Sequence, residues 1–379
     1  MNQGHEVTVV TAHPNYPLGR FYDSVESYWP SRRVENGVTV WRLPFVTDHS
    51  LSKARRFLSY ASFAAAISAA APLLTSKPDA VWVYHAPFTV AVASLWFRHL
   101  RRVKVGFICA DLWPESFEAA GVAPPARILT AMYAYSRWIN RSADMLVATT
   151  KGMARRYEKD GIDPSRMRLV PLWVDGSRVV PSRDAQEPVV PRLVYAGNLG
   201  PAQALDVLLR GARQLQDERV DLEIHIYGAG SDEARLRGLA EDLELRNVRF
   251  LGRVSPEEAA RASAAATATI VHLIRTPMFA MTVPSKLASC LSVGRPVLCG
   301  LSGEALQLAQ DSGGAIPFQP GGAADFVRAV KDLLKLEESD RRAVGDRARA
   351  YFEEHLHPTA LLARYAELTS ELLAGAKGQ

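Results

Sequence analysis

Short β-branched or apolar runs recur along this chain, and helical patterns separate them. In the first half the runs stand at Glu6–Thr11, Val38–Arg42, Ala80–Tyr84, Val103–Cys109 and Met145–Ala148, with helical patterns such as Ala54–Leu74 and Ala126–Arg141 between them. Alternation of this kind predicts a parallel sheet with helices on both faces. Around residues 171–192 the pattern lapses into loop-type residues carrying Pro171, Pro181, Pro188 and Pro191, which mark a linker. A second series then begins. Its strands are expected at Leu193–Ala196, Leu222–Tyr227, Val248–Phe250, Thr269–Leu273 and Pro296–Cys299, and its helices at Ala204–Leu215, Asp232–Asp242, Pro256–Ala264, Ser285–Val293 and Ala323–Leu334. The tail, Pro358–Leu373, repeats Leu361, Leu362, Tyr365, Leu368 and Leu372 at helical spacing.

The fold expected is α/β with two Rossmann-like domains facing a cleft. The boundaries are 1–176 for the first domain, 177–190 for the linker and 191–355 for the second domain, with a helix at 356–379 packing back on the first. Open sheets of this kind bind ligands beyond their strand C-termini, so the active site is expected between the domains.

Composition narrows the class of protein. With 48% hydrophobic and 22% charged residues the chain has enough apolar surface to fold. Cys109, Cys290 and Cys299 form no CxxC pair, which argues against a disulfide framework or zinc site and for a reducing, cytoplasmic compartment. The most apolar stretch, Tyr60–Leu74, is short, contains Pro72 and follows KARR at 53–56, so neither a membrane span nor a leader is expected. The net charge of +5 gathers early, in Arg55, Arg56, Arg98, Arg101, Arg102 and Lys104. The segments Lys53–Tyr60 and Phe97–Lys104 suit either docking on an anionic membrane surface or a solvated helix face. No nucleic-acid partner is expected.

Four segments are candidates for chemistry. In YAGNLGPAQ at 195–203 a strand runs through Gly197, Asn198, Leu199 and Gly200 to Gln203 and a helix, a form that suits a diphosphate and also suits a plain tight turn. In YGAGS at 227–231, Gly228 could meet a nucleotide edge, although Ser231 also reads as the cap of a helix whose first turn carries Asp232 and Glu233. Pro284, Ser285 and Lys286 open a third helix, with Ser285 as its expected cap. A cation in a first helical turn opposes the dipole unless an anion binds there, which makes Lys286 either a phosphate ligand or a solvated lysine. The fourth segment is CADLWPES at 109–116. Asp111 lies at a strand end as a catalytic candidate or a loop cap, and His85 lies at another as a catalyst or a packed residue. A complete P-loop, a GxSxG elbow, HExxH and a strand-end DxD are all absent, so neither a metal nor a cofactor is expected.

The blocks GHEVTVVT at 4–11, PNYP at 14–17, DLWPES at 111–116, GNLG at 197–200 with Gln203, VPSK at 283–286, and GRPV at 294–297 leading to Gly303 and Glu304 cover nearly the whole chain in order. Together they resemble the GT-B retaining glycosyltransferases of the large bacterial family four, the colanic-acid, O-antigen and N-acetyl-fucosamine type above all. The resemblance implies a UDP-sugar or other nucleotide-sugar donor held by the second domain. Gly197, Asn198 and Gln203 would lie near its diphosphate, Lys286 on the phosphates and Glu304 near the ribose or sugar. It also implies front-face displacement with retention, and a glycan-precursor, lipid-linked or natural-product acceptor.

Asn198 and Gln203 replace the family's Arg and Lys, so positive charge must come from Lys286 with Arg253 or Arg275. Met281 and Ser289 stand at the two Glu positions of the family, and Ala110 stands where many members carry His, with His85 the nearest substitute. Members also begin with a strand, a Gly-rich loop and a helix before the block at 4–11, so a misassigned start is expected. Two other readings are a non-catalytic partner subunit of the same architecture and a nucleotide-sugar epimerase.

Overall fold

The computed structural model describes residues 4–15, 21, 29–47, 53–119, 124–174 and 187–377. The first half runs β1 (Thr8–Ala12), β2 (Ser31–Glu35), β3 (Val38–Leu43), α1 (Lys53–Leu74), β4 (Ala80–Tyr84), β5 (Lys104–Cys109), α2 (Glu115–Ala119), α3 (Ala126–Arg141), β6 (Met145–Ala148), α4 (Lys151–Lys159) and β7 (Met167–Leu169). The second runs β8 (Arg192–Ala196), α5 (Asp206–Asp217), β9 (Glu223–Tyr227), α6 (Glu233–Asp242), β10 (Val248–Gly252), α7 (Pro256–Ala264), β11 (Ala268–His272), α8 (Pro277–Met281), α9 (Ser285–Val293), β12 (Val297–Gly300), α10 (Gly303–Asp311), β13 (Ala315–Pro317), α11 (Ala323–Lys335), α12 (Glu338–His355) and α13 (Pro358–Lys377).

The strands of the second half form one parallel sheet in the order β10-β9-β8-β11-β12-β13. The order reverses between β8 and β11, which puts the crevice at the C-terminal end of β8. Leu193, Tyr195, Ile224, Ile226 and Ile270 on the strands meet Leu208, Leu215 and Phe326 on α5 and α11 in one buried cluster. Local signals set the element ends. Ser255 and Glu258 form a reciprocal capping box on α7, with Pro256 at its first position, and Gly294 closes α9 in the left-handed conformation.

The single parallel sheet expected for the first half is two sheets among the described residues, β1-β3-β2 and the all-parallel β4-β5-β6-β7. β2 is antiparallel to β3, and their link is Asn36-Gly37, both at positive φ. Such a pair of residues favours a hairpin whose twist matches its strands. Val10 of β1 and Val81 of β4 share an apolar cluster with Ile67 and Ala71 of α1, which spans the two sheets.

The linker expected at 177–190 lies outside the described residues as far as 186. From Glu187 the chain is anchored, since that carboxylate takes Arg295 and Arg341, and all three side chains are largely buried. α13 lies on the first half, with Leu361, Leu368 and Leu372 buried against Met145, Val147 and Val170, and the Trp82 indole N–H donating to Thr369 Oγ1 at 3.1 Å. α8 joins the halves from the other side. Its Met278 and Met281 pack on the core around Phe107, Leu112 and Met153, and the Thr150 hydroxyl donates to the Met281 carbonyl.

Candidate functional site

Beyond the C-terminal ends of β8 and β9, two loops are zipped together by Gly197 N–H to Tyr227 O at 2.9 Å and Leu199 N–H to Ala229 O at 3.0 Å. Glycine makes that approach possible. A Cβ on Gly228, at φ +132°, would stand 1.8 Å from the Gly197 carbonyl oxygen, and one on Gly230 would stand 2.2 Å from that of Leu199. Inside the first loop the Gln203 amide oxygen accepts from Gly200 N–H at 3.1 Å and from Asn198 Nδ2 at 3.2 Å. Gln203 therefore stabilises the loop's own backbone, and the Leu199 side chain is buried in the core. The helix expected from Ala204 begins at Asp206, after a 3₁₀ turn at Pro201–Gln203. Its first-turn acid disfavours an anion at that terminus.

Next to these loops opens a cavity of about 780 Å³, lined by Gly197, Asn198 and Gly228 with Arg253, the small residues of α7, and Ser285, Lys286, Ser289 and Cys290 of α9. Among the described residues its lining carries two cations, Arg253 and Lys286, and no carboxylate. Lys286 is the second residue of α9, and its Nζ lies 3.5 Å from the centre of the Tyr195 ring without a hydrogen-bond partner. Gly197 leaves room for it, since a Cβ there would come within 2.5 Å of Nζ. Burial pushes the Lys286 ammonium down from the ordinary lysine value to about 7, and the nearby Cys290 sulfur opposes this only in part. Ser285 is not the cap expected of it. The N-cap is Pro284, and no side chain caps α9, so this helix presents its positive end without an anionic cap. The cap of α6 is likewise Asp232, tied to Arg235, and not Ser231.

Glu304, Pro284 and Ser285 line a second cavity of about 560 Å³ that also takes Thr149, Thr150, Lys151 and Arg155 from the first half. The Glu304 carboxylate is held there, accepting from Lys151 N–H and Arg155 Nη2 at 2.9 Å each. The structure thus gathers Gly197, Asn198, Gly228, Ser285 and Lys286 in one cavity and sets Glu304 in the other.

Asp111 and His85 line neither cavity. Asp111 is exposed, yet the surrounding protein raises its carboxyl above the usual range. His85 extends the β4–β5 ladder through its N–H to Ile108 O at 2.9 Å, which turns the ring inward onto Phe107 at 5.1 Å. It is 1% exposed, neither ring nitrogen has a partner, and burial pushes it down to about 4, so it is a neutral packed residue. The basic segment Phe97–Lys104 is largely engaged within the protein. Arg98 and Lys104 pair with Asp144, and Arg101 donates to the Pro72 and Thr75 carbonyls at the end of α1. Arg155 had no motif to announce it, and Tyr195 stood at the head of the glycine segment, where an aromatic residue just ahead of a glycine loop was a usable signal.

Residues 1–173 match the model of the Glycosyl transferase 4-like domain, and residues 190–336 match Glycosyl transferases group 1. The chain is 25% identical to the putative colanic acid biosynthesis glycosyl transferase WcaI of Escherichia coli, over 96% of this chain and 91% of that one. It is 28% identical to a D-inositol 3-phosphate glycosyltransferase of Nocardioides, over 61% and 54%. Among solved structures it resembles a sucrose-phosphate synthase of Thermosynechococcus elongatus, with TM-score 0.76, 15% identity and coverage of 99% and 90%. It also resembles Anabaena HepE in complex with UDP and glucose, with TM-score 0.63, 14% identity and coverage of 88% and 86%. Among the described residues no helix is long and apolar enough to cross a membrane.

Proposed function

The chain belongs to the GT-B glycosyltransferases of bacterial family four, and on that premise we propose that it transfers a hexose, N-acetylated or deoxy, from a UDP-sugar to a glycan-precursor, lipid-linked or natural-product acceptor. The observation that carries the donor site is Lys286, a buried ammonium with no counter-ion, opening on a carboxylate-free cavity at an uncapped helix N-terminus. A buried charge left unpaired is costly, and a diphosphate would supply what is missing. HepE, of the same fold, was crystallised with UDP and glucose, which supports UDP as the first donor to try.

The reaction asks for stabilisation of a leaving group. The bond from the sugar's anomeric carbon to the diphosphate breaks, and a bond to the acceptor hydroxyl forms on the same face. The acceptor's proton passes to the departing phosphate oxygen, while Lys286 and Arg253 meet the charge that develops there. No step needs a metal or cofactor.

The acceptor would enter between the halves, beside the second cavity. With Arg98, Arg101 and Lys104 engaged elsewhere, an association with a cytoplasmic membrane surface would rest on the exposed Leu73, Trp96 and Leu100 with Arg102. The test is a panel of UDP- and GDP-sugars against candidate acceptors, with free nucleoside diphosphate as the readout. Release that requires an acceptor supports the reading, whereas the absence of affinity for any sugar nucleotide in calorimetry removes it.

A further inference from the structure

Tyr195 lies beneath the donor cavity without lining it, and its side chain meets both parts of the proposed anion site. The residue is fully buried at the end of β8. Its hydroxyl donates to the Asn198 carbonyl at 2.7 Å, inside the glycine loop, and its ring carries Lys286 Nζ 3.5 Å from the centroid. A desolvated ammonium gains most from an aromatic face when no other partner is present. Here none is. Nζ makes no hydrogen bond, and the groups that face it are Tyr195 of β8, Cys290 one turn along α9, and the Gly197 backbone of the loop.

We propose that Tyr195 is a positioning residue: its ring seats the Lys286 ammonium, its hydroxyl fixes the loop at Asn198, and so the two anion-binding parts are held in register for one diphosphate. The inference rests on the donor reading above. It predicts that ring electronics, beyond ring shape, govern donor binding. Nucleotide binding would therefore depend on a residue that the nucleotide never touches.

The experiment separates the hydroxyl, the π face and the bulk. Tyr195→Phe removes only the hydroxyl. A trifluorinated phenylalanine at 195 keeps the ring's shape and weakens its π face, and Tyr195→Leu removes the face altogether. The Lys286 midpoint is read without nucleotide by NMR of the labelled lysine ε-carbon, and UDP and GDP binding are read by calorimetry.

Tyr195→Phe should keep the midpoint and lose a few-fold in affinity. The fluorinated ring and Tyr195→Leu should lower the midpoint by about one pH unit and weaken nucleotide binding about tenfold. In a Lys286→Met background Tyr195→Phe should keep its few-fold loss, which acts through Asn198, and the fluorinated ring and Tyr195→Leu should lose no more than Tyr195→Phe does. A midpoint that stays or rises with the fluorinated ring overturns the inference, as does a loss of affinity from that ring, beyond the loss in Tyr195→Phe, that is equal in both backgrounds. If the wild type binds neither nucleotide, the donor reading fails and this inference falls with it. If the wild type binds and the three 195 variants behave alike, only the role of Tyr195 fails.

Discussion

Among the described residues the fold gives Lys286 neither a carboxylate nor a hydrogen bond, and that arrangement has two opposite pH dependences. Burial lowers its pKa from 10.5 to about 7, so between those values the unfolded chain binds the extra proton. The empty fold therefore gains stability from this group as pH rises through that window. Donor binding runs the other way, because the diphosphate needs the ammonium. UDP affinity should fall as pH rises from 7 to 9, and Lys286→Met should flatten the trend in calorimetry across a pH series. Lys286→Ala should lower turnover by about 10²-fold, the scale set by removing one preorganised charge stabiliser. His85→Phe is expected to do the reverse of what a catalytic residue would. It deletes two buried nitrogens without partners, so turnover should hold within a few-fold and the melting temperature should hold or rise. At this scale the sequence singled out Lys286 because a cation in a first turn is anomalous, and its role on a phosphate rests on the proposed function. It left His85 open between a catalyst and a packed residue because a strand end does not say which way a ring turns.

Among the elements, the two zipped loops after β8 and β9 depend on glycine more than on any side chain. Gly228→Ala would drive a Cβ into the Gly197 carbonyl, a backbone atom that cannot rotate away. The expected cost is about 2 kcal/mol or more, with loss of nucleotide binding, checked by denaturant melts and calorimetry on one preparation. Ten strands and helices of the second half were legible because their apolar periods are strong, as in α5, where Val207, Leu208, Leu209, Ala212 and Leu215 are buried, whereas the short α8, α10 and β13 were not read. α12 was not legible. Its 18 residues bury only Gly345, Ala348 and Phe352, so little apolar period stood out from its charged face. The β2–β3 hairpin had a readable sign in Asn36-Gly37, but the polar strand SRRVE gave no apolar alternation to go with it.

Taken as a whole, the described residues tie the two halves together through the apolar packing of α13 and of α8 and through polar links such as those of Glu304. The Glu304 link to Arg155 is an exposed pair, with the guanidinium 64% accessible. Glu304→Gln should thus cost below about 1 kcal/mol in stability, and any larger effect on turnover would report on how the halves approach each other. Removing residues 357–379 is different in kind, because it uncovers the face that Leu361, Leu368 and Leu372 bury. At roughly 1.5–3 kcal/mol for each leucine, the loss rivals the whole stability of a domain. Limited proteolysis should then cut the first half while sparing the second. The sequence announced two halves through its proline-rich stretch, but not the pairing of strands into separate sheets, which depends on contacts between distant segments.

The position of α13 also sets an order of events during synthesis. Some 190 residues separate Val170 from Pro358, which at the usual pace of translation is roughly 10 to 40 seconds. Throughout that interval the nascent surface around Met145 and Val147 has no cover of its own, a standing invitation to chaperones. The part of the polypeptide that is born first is the last to be finished.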